Sequence, residues 1–133
     1  MKRWTVLSAT VLIALGMTAC TNRPESTAST AADIPVARVM GAAESCIPIN
    51  QIRQTIVRND RTIDFQMSGT RWYRNTLPQR CGGLASERAF RYQTALSQLC
   101  NTDIIHPIST SGGMIEDRGS CGLGMFVPVE LVK

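Results

Sequence analysis

Residues 62–67 read Thr-Ile-Asp-Phe-Gln-Met and alternate between polar and apolar side chains without a break. A period of two is typical of a strand with one face on the core. The stretch 52–57 before it is also rich in apolar residues, among them Ile52 and Ile56. Because residues 58–61 read Arg-Asn-Asp-Arg, which favours a turn, residues 52–57 and 62–67 are predicted to form a β-hairpin.

Three further stretches have strand character. Residues 72–77 form a predicted third strand, which Pro78 ends. Residues 103–108 and 125–129 are short apolar, partly β-branched runs in a glycine-rich region. The sequence therefore predicts a mainly β fold, a small antiparallel sheet or partly open barrel of five to six short strands with room for one short helix.

Residues 85–99 are ambiguous. Ala85, Ala89 and Tyr92 fall at helical spacing, and Leu96 and Leu99 continue that spacing. The stretch 90–94 alternates instead, as a strand does. The pattern alone leaves helix and strand equally open.

The N-terminus has the features of a bacterial secretion signal. Lys2 and Arg3 precede an apolar run at residues 6–15, which is shorter than the roughly 20 residues a membrane-spanning helix needs. Residues 17–20, Met-Thr-Ala-Cys, resemble a lipoprotein signal-peptidase box. The resemblance implies that the sulfur of Cys20 carries a diacylglyceryl group, with acyl chains of the palmitate type, and that Cys20 becomes the first residue. Thr21, in place of an aspartate, implies a lipid anchor in the outer membrane, facing the periplasm.

These features divide the chain into three parts. Residues 1–19 are predicted to be the signal peptide. Residues 20–43 are rich in Thr, Ser, Ala and Pro and are predicted to be a lipidated N-terminus and flexible tether. Residues 44–133 are predicted to be a small disulfide-bonded, β-rich domain.

Length, composition and charge exclude several classes of protein. The chain has 133 residues, of which 44% are hydrophobic and 18% charged, so it is neither a wholly disordered chain nor a multi-span membrane protein. The formal net charge of +4 falls to +2 once Lys2 and Arg3 are removed with the signal. Nucleic acid is therefore not an expected partner.

Four cysteines remain in the mature domain, namely Cys46, Cys81, Cys100 and Cys121. No pair has the two-residue spacing of zinc ribbons or thioredoxin-like redox sites, so neither a metal site nor a cofactor is predicted. An even number of cysteines in an exported domain predicts two disulfides.

An ordered set of motifs resembles an uncharacterised family of small bacterial lipoproteins, a domain of unknown function. The motifs are residues 74–78, Arg-Asn-Thr-Leu-Pro, with Cys81 and Gly83-Leu84 after them, then Phe90-x-Tyr92, then 99–105 around Cys100, and finally 120–126, which reads Ser-Cys-Gly-Leu-Gly-Met-Phe. The resemblance covers about residues 46–129. It implies the envelope location and favours a strand at 90–94, and it implies no catalytic residue.

With that strand, the second half becomes a predicted three-stranded meander of 90–94, 103–108 and 125–129. Cys100 and Cys121 then lie at opposite ends of the sheet, about 20 Å apart, which a disulfide cannot bridge. Cys81 shares an end with Cys121. The predicted disulfides are therefore Cys81–Cys121 and Cys46–Cys100.

The residues that favour catalysis are few. His106 is the only histidine and lies in an apolar strand beside a proline, which is typical of a structural histidine. Asp103 stands next to a strand start, where a carboxylate more often caps backbone amides. The glycines of 119–124 lack the strand and helix of a phosphate-binding loop. The chain is therefore not expected to be an enzyme.

Arginine is unevenly distributed along the chain. Residues 53–91 carry a local excess of +5, and residues 92–133 carry −2. Arg71, Trp72, Tyr73 and Arg74 place two guanidinium groups beside two aromatic rings, a combination that suits anionic or sugar ligands. These four residues are the candidate ligand-binding site.

Three functional hypotheses follow. The first is a non-enzymatic envelope lipoprotein that binds or scaffolds an anionic envelope glycan or a periplasmic protein at the outer membrane. The second is an inhibitor or accessory factor of a periplasmic enzyme such as a lysozyme-type hydrolase, with the glycine-rich stretch 109–124 as the inserted loop. The third is an unfamiliar hydrolase built around His106 or Asp103.

Overall fold

The computed structural model of the chain describes residues 34–132. The predicted signal peptide at 1–19, the predicted lipidation site Cys20 and the first part of the predicted tether lie outside the described residues. Within residues 34–132, no helix has the length and apolar character needed to cross a bilayer.

Eleven strands and one short α-helix make up the described chain. The strands are β1 Ala37–Val39, β2 Cys46–Pro48, β3 Ile52–Val57, β4 Thr62–Met67, β5 Trp72–Thr76, β6 Phe90–Tyr92, β7 Gln98–Cys100, β8 Ile104–Ser109, β9 Glu116–Asp117, β10 Cys121–Gly122 and β11 Phe126–Leu131. The helix α1 is Leu84–Glu87, and 3-10 turns occupy Ile49–Gln51 and Ser111–Gly113.

The strands form three antiparallel sheets. The main sheet has five strands in the order β1-β11-β5-β4-β3. The second sheet has β8 between β6 and the two short strands β9 and β10, and the third pairs β2 with β7. The mainly β fold with one short helix and two disulfides is confirmed. The predicted number of strands is too low, because strands of two or three residues are too short to show a period.

The β3–β4 hairpin has the bounds that the sequence predicts. Its register pairs Thr55 with Phe65 and Val57 with Ile63. The polar and apolar alternation of β4 sends Ile63, Phe65 and Met67 into the core. Thr62, Asp64 and Gln66 therefore share the opposite face, called here the outer face of the main sheet.

The core lies between the main sheet and the rest of the chain. Phe65 and Phe126 meet edge to face, with ring centroids 5.6 Å apart and an angle of 67°. The other large side chains that are fully buried are Ile47, Ile63, Met67, Leu77, Leu84, Leu99 and Ile105. None of them comes from β1, so the β1 side of the main sheet extends past the core.

Strand β1 falls inside the stretch predicted to be tether. It pairs with β11 through Ala37–Leu131 and Val39–Val129, and Glu44 forms a bridge with Phe126. The folded part therefore begins before residue 44. The Thr- and Ser-rich composition of the preceding residues masked this short strand in the sequence.

The ambiguous stretch 85–99 contains both kinds of structure. Helix α1 ends at Glu87, because Arg88 adopts a left-handed conformation with φ 52°. Strand β6 then occupies 90–92, as the resemblance implies, and pairs with β8. Strand β7 begins at Gln98.

The predicted three-stranded meander is wrong in its last strand. Strands β6 and β8 pair as expected, but β11 leaves that sheet and pairs with β1 and β5 in the main sheet. The alternation of a strand specifies which face is buried but not which strand lies beside it, so two sheets around one core satisfied the pattern equally well.

Both predicted disulfides are present. Cys46 lies directly opposite Cys100 in the β2–β7 pair, with Cα atoms 4.0 Å apart, and the Cα atoms of Cys81 and Cys121 are 5.8 Å apart. The geometric argument for this pairing is wrong, however, because it placed Cys100 and Cys121 at opposite ends of one sheet. Cys121 pairs with Ile105 near the start of β8, which is also the end that Cys100 precedes.

Asn75 joins β5 to the loop before β11 through its side chain. Its Nδ2 donates to the carbonyl of Gly124 at 2.7 Å, and its Oδ1 accepts from the Gly124 amide at 2.8 Å. Asn75 is fully buried, so these two bonds satisfy an amide that water cannot reach. The close approach requires glycine, because a Cβ at residue 124 would lie 2.1 Å from the carbonyl oxygen of Thr76.

Gly124→Ala should therefore destabilise the fold by about 3 kcal/mol, near the upper end of overpacking costs, because the clash is with backbone that cannot rotate away. Gly122→Ala is the matched control, since a Cβ there meets nothing within 4 Å, and it should change stability by less than about 0.5 kcal/mol. Urea unfolding with the disulfides intact measures both. Equal midpoints for the two variants would contradict the Asn75–Gly124 arrangement.

Candidate functional site

The four candidate ligand-binding residues lie at the start of β5 but do not share one face. Register pairs Trp72 with Gln66 and Arg74 with Asp64, which places Trp72 and Arg74 on the outer face. Tyr73 points to the core side and is 6% exposed. The period of two therefore separates the residues that the sequence brings together.

A groove of about 420 Å³ opens beside three of the four residues. Arg71, Trp72 and Tyr73 border it, and Arg74 does not. The remaining lining residues come from three places, the residue after β1, the turn before β5 and the middle of β11, and they are Met40, Thr70, Pro128, Val129 and Glu130. The groove thus combines apolar walls with charged groups at its margin.

Arg71 is the guanidinium that remains accessible in this groove. It is exposed, and its Nη2 donates to Oε1 of Gln51 at 3.0 Å. Among the described residues, Arg71 takes part in no ion pair, whereas the groove carboxylate of Glu130 lies 3.7 Å from Arg38. Arg71 can therefore meet an anionic group without breaking a salt bridge.

Tyr73 contributes a hydroxyl group on the core side of the groove. Its hydroxyl donates to Oε1 of Glu44 at 2.8 Å. Burial raises the pKa of Tyr73 above its ordinary value, the hydrogen bond to Glu44 and the charge of that carboxylate raise it further, and nearby Arg71 lowers it. Tyr73 is therefore a neutral hydrogen-bonding group, held in place by Glu44.

Arg74 is occupied by a buried carboxylate. Its Nε donates to Oδ1 of Asp64 at 2.7 Å and its Nη2 to Oδ2 at 2.9 Å, while Arg58 donates to Oδ2 at 2.8 Å. The Asp64 side chain is 0% exposed, and the two arginine side chains are 16–17% exposed. Arg74 also donates to the carbonyl of Pro35 at 3.1 Å, so it holds the residues before β1 over the outer face.

The acid and base singled out in the sequence have structural contacts. Asp103 accepts from the amide of Cys100 at 2.7 Å, the capping role that the sequence predicts. His106 lies with Nδ1 3.1 Å from the carbonyl oxygen of Gly119. Across the sheet, Arg91 forms an exposed ion pair with Asp117, which lowers the pKa of the Asp117 carboxyl. In the described part of the chain, no three His, Cys, Asp or Glu side chains cluster to hold a metal ion.

A second hollow, of about 310 Å³, lies beside the Cys81–Cys121 disulfide. Pro78, Arg80 and Ser120 border it. Arg80 is paired with Asp60 at 3.0 Å, so this hollow offers no unpaired charge from that residue.

The sequence did not point to Met40, Glu44 or Gln51 as neighbours of the site. Met40 and Glu44 come from or next to the stretch predicted as tether, and Gln51 comes from a 3-10 turn before β3. No local pattern brings such distant residues to one place. The buried Asp64 did carry a signal, because a carboxylate in an alternating strand with arginines in the flanking strands indicates an ion pair across the sheet.

The fold and the site define a small disulfide-bonded β domain with an open groove at one side of its main sheet. Comparison of the chain with protein-family models, with curated proteins and with solved structures found no match.

Arg74→Met should lower the free energy of unfolding by about 3 kcal/mol, because it leaves the buried Asp64 carboxylate with Arg58 alone. Arg71→Met, which removes an exposed guanidinium of the same strand region, should change stability by less than about 0.5 kcal/mol. Denaturant unfolding compares the two variants. A stable Arg74→Met protein would show that the pair with Asp64 is not a structural requirement.

Tyr73 should ionise at higher pH than a free tyrosine. A group whose folded pKa is raised contributes stability below the unfolded value of about 10, and this contribution is lost as the pH rises through the folded pKa. The chain has two tyrosines, so the Tyr92→Phe variant isolates Tyr73 in a titration of tyrosinate absorbance. Adding Glu44→Gln should lower the pKa of Tyr73 but leave it raised by burial. A pKa unchanged by Glu44→Gln would contradict the contribution of Glu44.

Proposed function

We propose that the protein is a non-enzymatic, lipid-anchored binding module of the outer membrane, facing the periplasm, that holds an anionic envelope glycan in the Arg71 groove. The supporting observation is an exposed guanidinium, free of ion pairs among the described residues, at the margin of an open groove bordered by Trp72 and Tyr73. The anchor rests on the signal sequence and on Cys20.

The chemistry of the groove suits this class of ligand. A forked guanidinium can bind a carboxylate or phosphate with two hydrogen bonds. Apolar walls from Met40, Pro128 and Val129 suit the apolar face of a sugar ring. Glu130 and the Tyr73–Glu44 pair supply polar groups near it. The groove therefore suits a ligand with one anionic group beside a sugar ring, rather than a ligand with a row of charges.

The two residues that a hydrolase could use have structural contacts instead, which favours a role in binding over one in catalysis. His106 is next to a loop carbonyl and Asp103 caps a backbone amide, so each has a structural contact. Neither residue lies among those that line the Arg71 groove. The groove is therefore proposed to bind its ligand without transforming it.

A second candidate function is inhibition of a periplasmic enzyme such as a lysozyme-type hydrolase. The observation that favours it is the loop 110–120, all of whose residues are exposed. Met114 and Ile115 in this loop are 68% and 70% exposed. The ion pair between Arg91 and Asp117 connects the second half of the loop to β6. An exposed loop with two apolar side chains could supply the contacts of an inhibitor with the cleft of an enzyme.

The binding proposal is tested by titrating the mature chain with peptidoglycan fragments and with lipopolysaccharide by calorimetry. Arg71→Ala should weaken binding about tenfold or more, because a charge-assisted pair contributes about 1.5–3 kcal/mol. Arg53→Ala is the matched control, since Arg53 is also exposed and donates to one neutral side chain, Ser68, but lies outside the groove.

Equal loss of affinity in the Arg71 and Arg53 variants would show that binding is general electrostatic attraction and would refute the groove as the site. A chain that binds no glycan but blocks a lysozyme-type hydrolase would favour the second candidate function instead.

A further inference from the structure

Of the two edges that the main sheet has among residues 34–132, the one formed by β1 is unusually apolar. Val36, Val39, Met40 and Val132, called here the β1 edge, are 73%, 64%, 59% and 45% exposed. The Val132 amide donates to the carbonyl of Val36, which places these two residues side by side, and Val39 and Met40 are consecutive residues at the end of β1. An exposed apolar group of this kind at an edge strand is typical of an interaction surface.

The part of the chain that the structure describes leaves both faces of the β1 edge exposed. Strand alternation places Val39 on the outer face with Val129, and Val36 and Met40 on the other face. None of the residues of the buried core belongs to β1, so the core covers neither face. The edge therefore projects as an apolar ridge, on which Arg38 and Glu130 form an exposed ion pair.

The anchor lies close to this ridge along the chain. Only residues 21–33 separate Cys20 from Ile34, and 13 residues span at most about 45 Å even when fully extended. Pro35 is fixed to Arg74, so the chain leaves the domain directly beside β1. An acylated Cys20 would thus hold the β1 edge within reach of the bilayer surface at high effective concentration.

We infer that the β1 edge rests on the lipid surface in which Cys20 is anchored, so that the Arg71 groove, which shares Met40 with this edge, opens next to the membrane. The inference rests on the lipid anchor of the proposed function. It gives the domain a fixed orientation and makes the headgroup region of its own membrane the place where a ligand is met.

A second copy of the chain fits the edge less well. Strand β1 has three residues, so pairing between two copies would be short. A stable dimer buries about 1,200–2,000 Å² in total, which requires much more surface than four side chains and a three-residue strand. Contact with a membrane makes a smaller demand, because these four side chains have only to orient a domain that the acyl chains of the proposed anchor hold at the bilayer.

The test uses the mature, acylated chain in vesicles of phosphatidylethanolamine and phosphatidylglycerol that contain lipids brominated near the headgroup. Trp72 is the only tryptophan after residue 19, so Trp72→Phe gives a background without tryptophan. Val39→Trp places a probe on the β1 edge. Leu96→Trp is the matched control, because Leu96 is equally apolar, 69% exposed and located between β6 and β7.

Bromolipid should quench the probe at residue 39 roughly twofold or more above the probe at 96, since interfacial side chains enter the headgroup region by about 5–10 Å. Without the acyl chains neither probe should be quenched. Equal quenching at the two positions, or stronger quenching at 96, would overturn the inference, as would a blue shift at 39 that depends on protein concentration without vesicles, which indicates a second copy.

The failures of the two proposals can be told apart. The mass of Cys20 in the native product tests the anchor, and an unmodified cysteine would overturn both the anchor and the membrane contact. A chain that is acylated and binds glycan, but shows no preferential quenching at residue 39, would overturn the membrane contact alone.

Discussion

The buried carboxylate of Asp64 sets the arrangement on the outer face of the main sheet. A carboxylate with no exposed surface is costly unless cations and hydrogen bonds surround it, and here Arg58 and Arg74 do so from the end of β3 and from β5. Arg74 then extends the network to the carbonyl of Pro35. The Asp64 carboxylate, through Arg74, therefore connects the β3–β4 hairpin to the residues before β1.

This network also decides which arginine can serve a ligand. Arg71 and Arg74 look equivalent in sequence, three residues apart and on either side of two aromatic residues. Because the register places Arg74 opposite Asp64, its guanidinium forms a structural ion pair, whereas Arg71 borders the groove. The local excess of positive charge is reduced in the same way elsewhere, since Arg80 pairs with Asp60 and Arg91 with Asp117. Among the described residues, four of the eight arginines at 53–91 thus take part in ion pairs, and Arg71 does not.

The sequence predicted those parts of the fold that local physics specifies. The period of two and the turn at 58–61 gave the β3–β4 hairpin its bounds, because side-chain burial and turn geometry act over a few residues. The partner of β11 was predicted wrongly, since the pattern of a strand specifies its buried face and not its neighbour. The disulfide pairing was predicted correctly from a geometric argument that was wrong. Four cysteines allow only three pairings, so a correct pairing can follow from an incorrect argument. Strand β1 was missed because three residues are too few to show a period.

The candidate site shows the same limit at the level of side chains. The sequence analysis grouped Trp72 and Tyr73 in one site although consecutive residues of a strand face opposite ways. No pattern indicated that Glu44 would hold the Tyr73 hydroxyl or that Met40 would border the groove. Met40 lies inside the stretch predicted as tether, and Glu44 follows it directly. The groove therefore depends on β1, which pairs with β11 and places Met40, the residue after β1, beside Pro128 in the groove lining. The groove and the β1 edge both depend on one short strand. Binding of a ligand in the groove and contact of the edge with a membrane would therefore both depend on the position of β1.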